Sequence, residues 1–211
     1  VVTLATFGYG AVERQLAAPG STPFDVAQLK WVGSLSKVNR ILAMRKGLNG
    51  TTLAALRELG RQPVAGTTGA LTASTIEVLL LNAMTDLRMK VVVGMAEAQR
   101  QAMIVAGDVD LRTGGPLELI PRFEAGEMFP VLKFTKEGYP AALDAVPAIA
   151  EVVRADTPRE IVSLMESLDR FGGGMIAAAP ATDAADLEAL RRAFAAVVAD
   201  SAFLRDAAKN R

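Results

Sequence analysis

Short apolar runs alternate with helix-patterned segments along most of this chain, and that order restricts the fold more than any other feature. Val1 to Thr6 is rich in β-formers and ends at Gly8. Ile41 to Met44 is a second apolar run, and "TTLAALRELG" follows with helical spacing, Thr51 or Thr52 as cap and Gly60 as stop. Pro63 to Gly66 predicts a strand, Thr72 to Met84 a helix, "RMKVVVG" a strand, and Met95 to Ala106 a helix ended by Gly107. "DVDLRTGG", Pro116 to Ala125 and "FPVLKF" continue the alternation. From Pro158 the chain reads as helical, broken by "FGGGMIAAAP" as a strand between turns. Repeated strand–helix order predicts an α/β protein with a mostly parallel sheet and helices on both faces. In such sheets ligands sit at the carboxyl ends of strands, which directs attention to the stretches after Ala5, Ala65, Val93 and Leu111.

Composition narrows the chemistry. The chain has 211 residues, 51% hydrophobic and 22% charged, enough for one large domain or two small ones. Basic and acidic residues both number 23, so no basic surplus suggests nucleic acid or an anionic membrane. No uninterrupted apolar run is long enough to span a bilayer. Histidine and cysteine are absent, which removes Ser-His-Asp and Cys-His nucleophilic sites and the common zinc sets. No carboxylate cluster suggests a hard-cation site. An enzyme working through Asp, Glu, Lys or Tyr stays open on these grounds; the expectation is a protein that is not an enzyme, with no metal and no cofactor.

Several segments together resemble the periplasmic substrate-binding proteins of tripartite tricarboxylate transporters, also called Bug or TctC receptors. They are "FDVAQLKWVGSLSKVNRILAMRKG", "GTTGALTAST", "VVVGMAEAQRQAMIVAGDVDL", "GYPAALDAVPAIAEV" and "APATDAADLEALRRAFAAVVADSAFLRDAAK". "WVGS" and the C-terminal run carry most of the likeness, whose order covers nearly the whole chain. The resemblance implies a two-lobed type II periplasmic-binding fold, with residues 1–44 and 130–211 in lobe 1 and 45–129 in lobe 2. The family's opening strands and Gly-rich loop have no counterpart here, so lobe 1 is expected to be incomplete and to expose apolar surface. The implied function is an extracytoplasmic, periplasmic receptor that binds a small organic carboxylate between its lobes and passes it to membrane permease subunits. The alternative is the effector-binding module of a transcription regulator of similar bilobed fold.

Binding a carboxylate without a salt bridge needs oriented donors. A helix N-terminus offers up to four unpaired N–H groups and about half a unit of positive charge. The strand-to-helix turns at Thr67, Thr68, Gly69, Ala70 and at Gly94, Met95, Ala96 are therefore the candidate anion sites. Gly66, Gly69 and Gly94 are expected to let a ligand approach the backbone, and Thr72 or Ser74 to add a hydroxyl in competition with helix capping. The family's frequent Asn-Gly is Ala70-Leu71 here, which places more weight on the backbone. Phe7, Gly8 and Tyr9 would supply an apolar wall from lobe 1. Trp31 reads as a packing anchor, Asp108 and Asp110 as solvated or capping groups, and Arg112 of "RTGG" as either a cationic donor near the cleft or a surface residue.

Overall fold

The computed structural model describes residues 2–8, 10–170 and 172–209; the side chains of residues 17 and 168–170 lie outside that description. The strands are β1 (Leu4–Phe7), β2 (Lys30–Ser36), β3 (Ile41–Arg45), β4 (Val64–Gly66), β5 (Lys90–Val92), β6 (Leu111–Gly114), β7 (Met128–Lys133) and β8 (Gly173–Ala178). The helices are α1 (Gly10–Ala17), α2 (Leu53–Arg57), α3 (Ala73–Met84), α4 (Glu97–Ala106), α5 (Pro116–Glu124), α6 (Arg159–Arg170), α7 (Ala184–Ala199) and α8 (Ser201–Lys209). Two compact units result: Val38–Arg170, and Val1–Lys37 with Phe171–Arg211.

The unit Val38–Arg170 is built on a five-stranded sheet of order β5-β4-β6-β3-β7. Strand β3 lies inside it because successive residues are apolar on both faces. Leu42 and Met44 join one core cluster, Ile41 and Ala43 the other, and all four are fully buried. The first cluster takes Leu53 and Leu56 of α2, Val78, Leu81 and Met84 of α3, and Met165 of α6. The second takes Ile104 of α4 and Leu119 of α5, so helices cover both faces as the strand–helix order requires. Parallel pairing holds between β4 and its neighbours β5 and β6, whereas β3 runs antiparallel to β6 and β7.

The other unit carries a three-stranded sheet of order β1-β8-β2 that is antiparallel throughout. This departs from the expectation of mostly parallel pairing, and the chain path explains it. In each unit one strand arrives straight from the other stretch of chain, β3 after β2 and β8 after α6, and inserts between two strands that run the other way. A strand delivered without a right-handed βαβ crossover is free to pair antiparallel. Strand β2 was not legible as a strand because KWVGSLS mixes polar residues with Gly33 and bulges between Trp31 and Gly33. Gly33 has a packing reason: a Cβ there would overlap the ring of Phe194 on α7. Trp31 is half-buried, meets Phe7 edge-on at 5.5 Å, and its carbonyl accepts from Arg191 Nε and Nη2 at 3.0 and 2.9 Å, an anchoring role.

The unit bounds also correct the expected lobe bounds. Divisions at 44/45 and 129/130 would cut through β3 and β7, which pair with each other over Ile41–Arg45 and Met128–Lys133. Pairing holds both strands in one unit, so the observed divisions fall at 37/38 and 170/171.

Candidate functional site

Strand β4 ends at Gly66 and β6 at Gly114, and the pairing between them is short. The two are joined at Ala65 opposite Leu111, with the Asp110 N–H donating to Val64 O at 2.8 Å. Past that point the chain after β4 turns toward β5: the Thr67 N–H donates to Val92 O at 2.9 Å and Thr67 O accepts from the Met95 N–H at 3.1 Å. The crossover from β4 goes to β5 at the sheet's end, and that from β6 goes to β7 at the opposite end. The gap between β4 and β6 is therefore the topological switch point, where open α/β sheets form a crevice beyond their carboxyl ends.

The turn from β4 into α3 borders this crevice, and its hydroxyls are spent on holding the turn. Thr75 Oγ1 bonds Thr67 Oγ1 and Gly69 O, both at 2.6 Å, and Thr72 Oγ1 donates to Gly69 O at 2.8 Å. Ser74 Oγ, in a buried residue, accepts the Thr68 N–H at 3.4 Å and lies 3.1 Å from Thr72 Oγ1. Thr72 is the N-cap residue but makes no side-chain cap bond. The expectation that Thr72 either caps the helix or offers its hydroxyl outward is thus corrected, since its proton goes to a carbonyl of the turn. What the turn leaves open is backbone: the N–H groups of Gly69, Ala70, Ala73 and Ser74 have no acceptor among the described residues. The hydroxyl lattice fixes those donors in place, which suits recognition of an anion at a helix N-terminus.

The other candidates divide. Gly94 adopts φ +87°, a conformation that glycine reaches without strain, and a Cβ there would meet nothing within 4 Å. Ala96 is the N-cap of α4, exposed and without a side-chain cap, and the Glu97 and Ala98 N–H groups have no acceptor among the described residues. Met95 is corrected. Its side chain is 3% exposed in the second core cluster and its N–H is bound to Thr67 O, so it serves packing. Gly66 is fully buried, and a Cβ there would come within 3.0 Å of Met95 Sδ and Val109 Cγ1, so its small size serves helix–sheet packing rather than ligand approach. Phe7 and Gly8 lie in the other unit at the end of β1; Phe7 is half-buried against Trp31 and Phe24, and Gly8 is exposed. Tyr9 lies outside the described residues.

Three charged groupings were missed or misread from sequence. Arg40 Nε and Nη2 bind Glu77 Oε1 and Oε2 at 2.7 and 2.9 Å, and Nη2 reaches Thr113 Oγ1 at 3.0 Å, at the crevice end of β6. The available signal was Glu77 itself, a lone carboxylate within an apolar helix face that must find a partner. Arg112 is neither a surface residue nor a free cationic donor. It is fully buried on β6, paired with Glu97 and Glu118, and its pKa falls to about 10 through burial and the neighbouring Arg100. Asp110 is not solvated either: it is 1% exposed at the opposite end of β6, binding Arg61 at 2.5 and 2.8 Å, Arg45 at 3.1 Å and the Val64 N–H at 2.9 Å. Asp108 is exposed. Among the described residues, no three His, Cys, Asp or Glu side chains are grouped as metal ligands, and no helix is long and apolar enough to cross a membrane.

No family model matches the chain, and no curated protein matches it. Solved structures do. A TctC solute-binding protein from Polaromonas superposes with a TM-score of 0.69 at 16% identity, covering 98% of this chain and 67% of that one. MatC (Rpa3494) from Rhodopseudomonas palustris, solved with bound malate, gives 0.68 at 17% identity, covering 94% and 65%. Rpa4515 from R. palustris, solved with adipate, gives 0.57 at 22% identity, covering 92% and 75%. The chain thus spans slightly under two thirds of MatC. Its fold is that of the TctC-type periplasmic solute-binding proteins.

Proposed function

We propose that this chain belongs to the tripartite tricarboxylate transporter receptors and binds a small organic carboxylate. The observation that carries the reading is the β4–α3 turn. Its hydroxyls are consumed internally, and four backbone N–H groups have no acceptor among the described residues, at the switch point of the sheet. Such a site stabilises a carboxylate by fixed dipoles and binds it without transforming it. The malate of MatC and the adipate of Rpa4515 support this ligand class. The solute-binding description of the Polaromonas protein supports a receptor rather than an enzyme, and that of BugD as a periplasmic binding protein supports a periplasmic setting; delivery of the ligand to permease subunits completes the reading.

Calorimetric titration with malate and adipate, with a neutral diamide as control, tests the binding step. Saturable binding of a carboxylate and none of the diamide is expected. No heat from either acid, together with no organic acid released on denaturing the gently purified protein, would overturn the reading.

A further inference from the structure

Two arginines lie buried beneath the strand ends that border the crevice. Arg112 is fully buried and Arg100 is 4% exposed. The Arg100 Cγ would stand 3.4 Å from a Cβ on Gly66, the last residue of β4. Glu118 Oε2 would stand 2.8 Å from a Cβ on Gly114, the last residue of β6. Arg112 Nη1 donates to Glu97 Oε1 at 2.6 Å and Nη2 to Glu118 Oε1, while Arg100 Nη2 donates to Glu97 Oε2 and lies 3.7 Å from Glu118 Oε1. Glu97 opens α4 and Glu118 stands in the first turn of α5, so the cluster ties two helix N-termini together under the crevice.

The charges formally cancel, but their solvation does not. The guanidinium groups are buried, whereas the Glu97 and Glu118 side chains are 49% and 40% exposed. Water screens the carboxylates more than the cations, and both Nε–H groups lack an acceptor among the described residues. Two helix N-termini add to the same sign. Without Arg112 the balance reverses, because two half-exposed carboxylates beside the strand ends would have Arg100 alone against them. Arg122, paired with Glu127 at 3.2 Å, is the next cation in the neighbourhood.

We infer that Arg112 is a positioning residue that keeps the crevice receptive to an anion by neutralising Glu97 and Glu118 from below, an inference that rests on the carboxylate reading. Being fully buried, it acts through Glu97 and Glu118. Arg112→Met should weaken malate or adipate binding about 5–10-fold, the scale of one uncompensated charge partly screened by water. Glu118→Gln, which keeps a side-chain oxygen to accept from Arg112, should strengthen it by a similar factor. The double variant should return near wild type, and both single-variant effects should shrink as salt is raised. A purely structural role predicts that Arg112→Met loses affinity independently of salt and that Glu118→Gln does not rescue it. That pattern, or unchanged affinity in both single variants, would overturn the inference. Carbon-13 titration of the Glu97 carboxyl gives a readout free of any ligand: burial raises its pKa, but the hydrogen bonds and charges of Arg100 and Arg112 hold it below the ordinary value, so it should rise in Arg112→Met. If neither acid binds the wild type, the carboxylate reading fails, and an unmoved Glu97 titration would separately exclude the role of Arg112.

Discussion

At the scale of single residues, the β4–α3 turn separates groups that build the site from groups that would face a ligand. Thr67, Thr72, Ser74 and Thr75 bond one another or the turn's carbonyls, so replacing one hydroxyl perturbs the turn, whereas the ligand-facing donors are main-chain. Gly69→Val places bulk beside open N–H groups, and a Cβ there already meets Thr72 Cγ2 at 3.2 Å. The expected cost is ~1–3 kcal/mol of carboxylate binding, or roughly 5- to 150-fold by calorimetry. Thr68→Val, at an exposed position, should cost less, and Thr182→Val should leave affinity unchanged.

Asp110 illustrates a different use of charge. Burial pushes its pKa up, but hydrogen bonds from Arg61 and the Val64 N–H, with the Arg61 charge and a bond from Arg45, outweigh that and hold it below the ordinary 3.8. A depressed carboxylate contributes stability that is fully present above its unfolded pKa and lost as pH falls through the folded one. Asp110→Ala should therefore destabilise by about 2–3 kcal/mol at neutral pH, below the full figure for a buried pair because Arg61 is half-exposed. In denaturant titrations the gap between variant and wild type should narrow as pH drops below about 4. A gap independent of pH would show that packing, not charge, is lost.

At the scale of elements, glycines at strand ends set how closely helices sit on the sheet. Gly114 lies under the first turn of α5, where a Cβ would come within 3.0 Å of Leu119 Cγ and Cδ1. Leu119 is fully buried and has no room to retreat. Gly114→Ala should therefore lower stability by roughly 1–3 kcal/mol by overpacking, read as a shift in denaturation midpoint without a change in slope. Of the helix starts, the cap of α2 was legible. Thr52 caps α2 by accepting the Ala55 N–H at 3.3 Å, and Asp183 caps α7 by accepting the Asp186 N–H at 2.8 Å. Asp200 Oδ1 accepts from Ala202 and Phe203 and starts α8. Strand β2 and the antiparallel pairings were not legible, since partners distant in sequence supply both.

At the scale of the molecule, the two units differ in how much core they hold. Both hydrophobic clusters draw only on residues between 41 and 165, inside Val38–Arg170. In the other unit α7 and α8 contain no buried residue, and Leu4, Leu16, Phe24, Leu35 and Leu204 are exposed. A chain of residues 38–170 should accordingly unfold cooperatively by itself, followed by circular dichroism in urea. A gradual, non-cooperative loss of signal would show that its core depends on the rest of the protein.

Local chemistry reaches the sequence directly, and this is why so much was readable from it. An unbroken apolar run marks Ile41 to Met44, helical spacing marks Leu81 and Met84, and the Gly-Thr-Thr-Gly run marks an anion-suited turn; each depends on neighbours within a few residues. The direction of β3 and β8, the unit bounds at 37/38 and 170/171, and the fates of Met95, Asp110 and Arg112 depend on groups tens of residues away. A buried charge is defined by the partner it meets, and a strand by the edge it joins. Only the tertiary structure brings Glu97 and Glu118 to Arg112, or sets β4 beside β6 with their crossovers leaving in opposite directions.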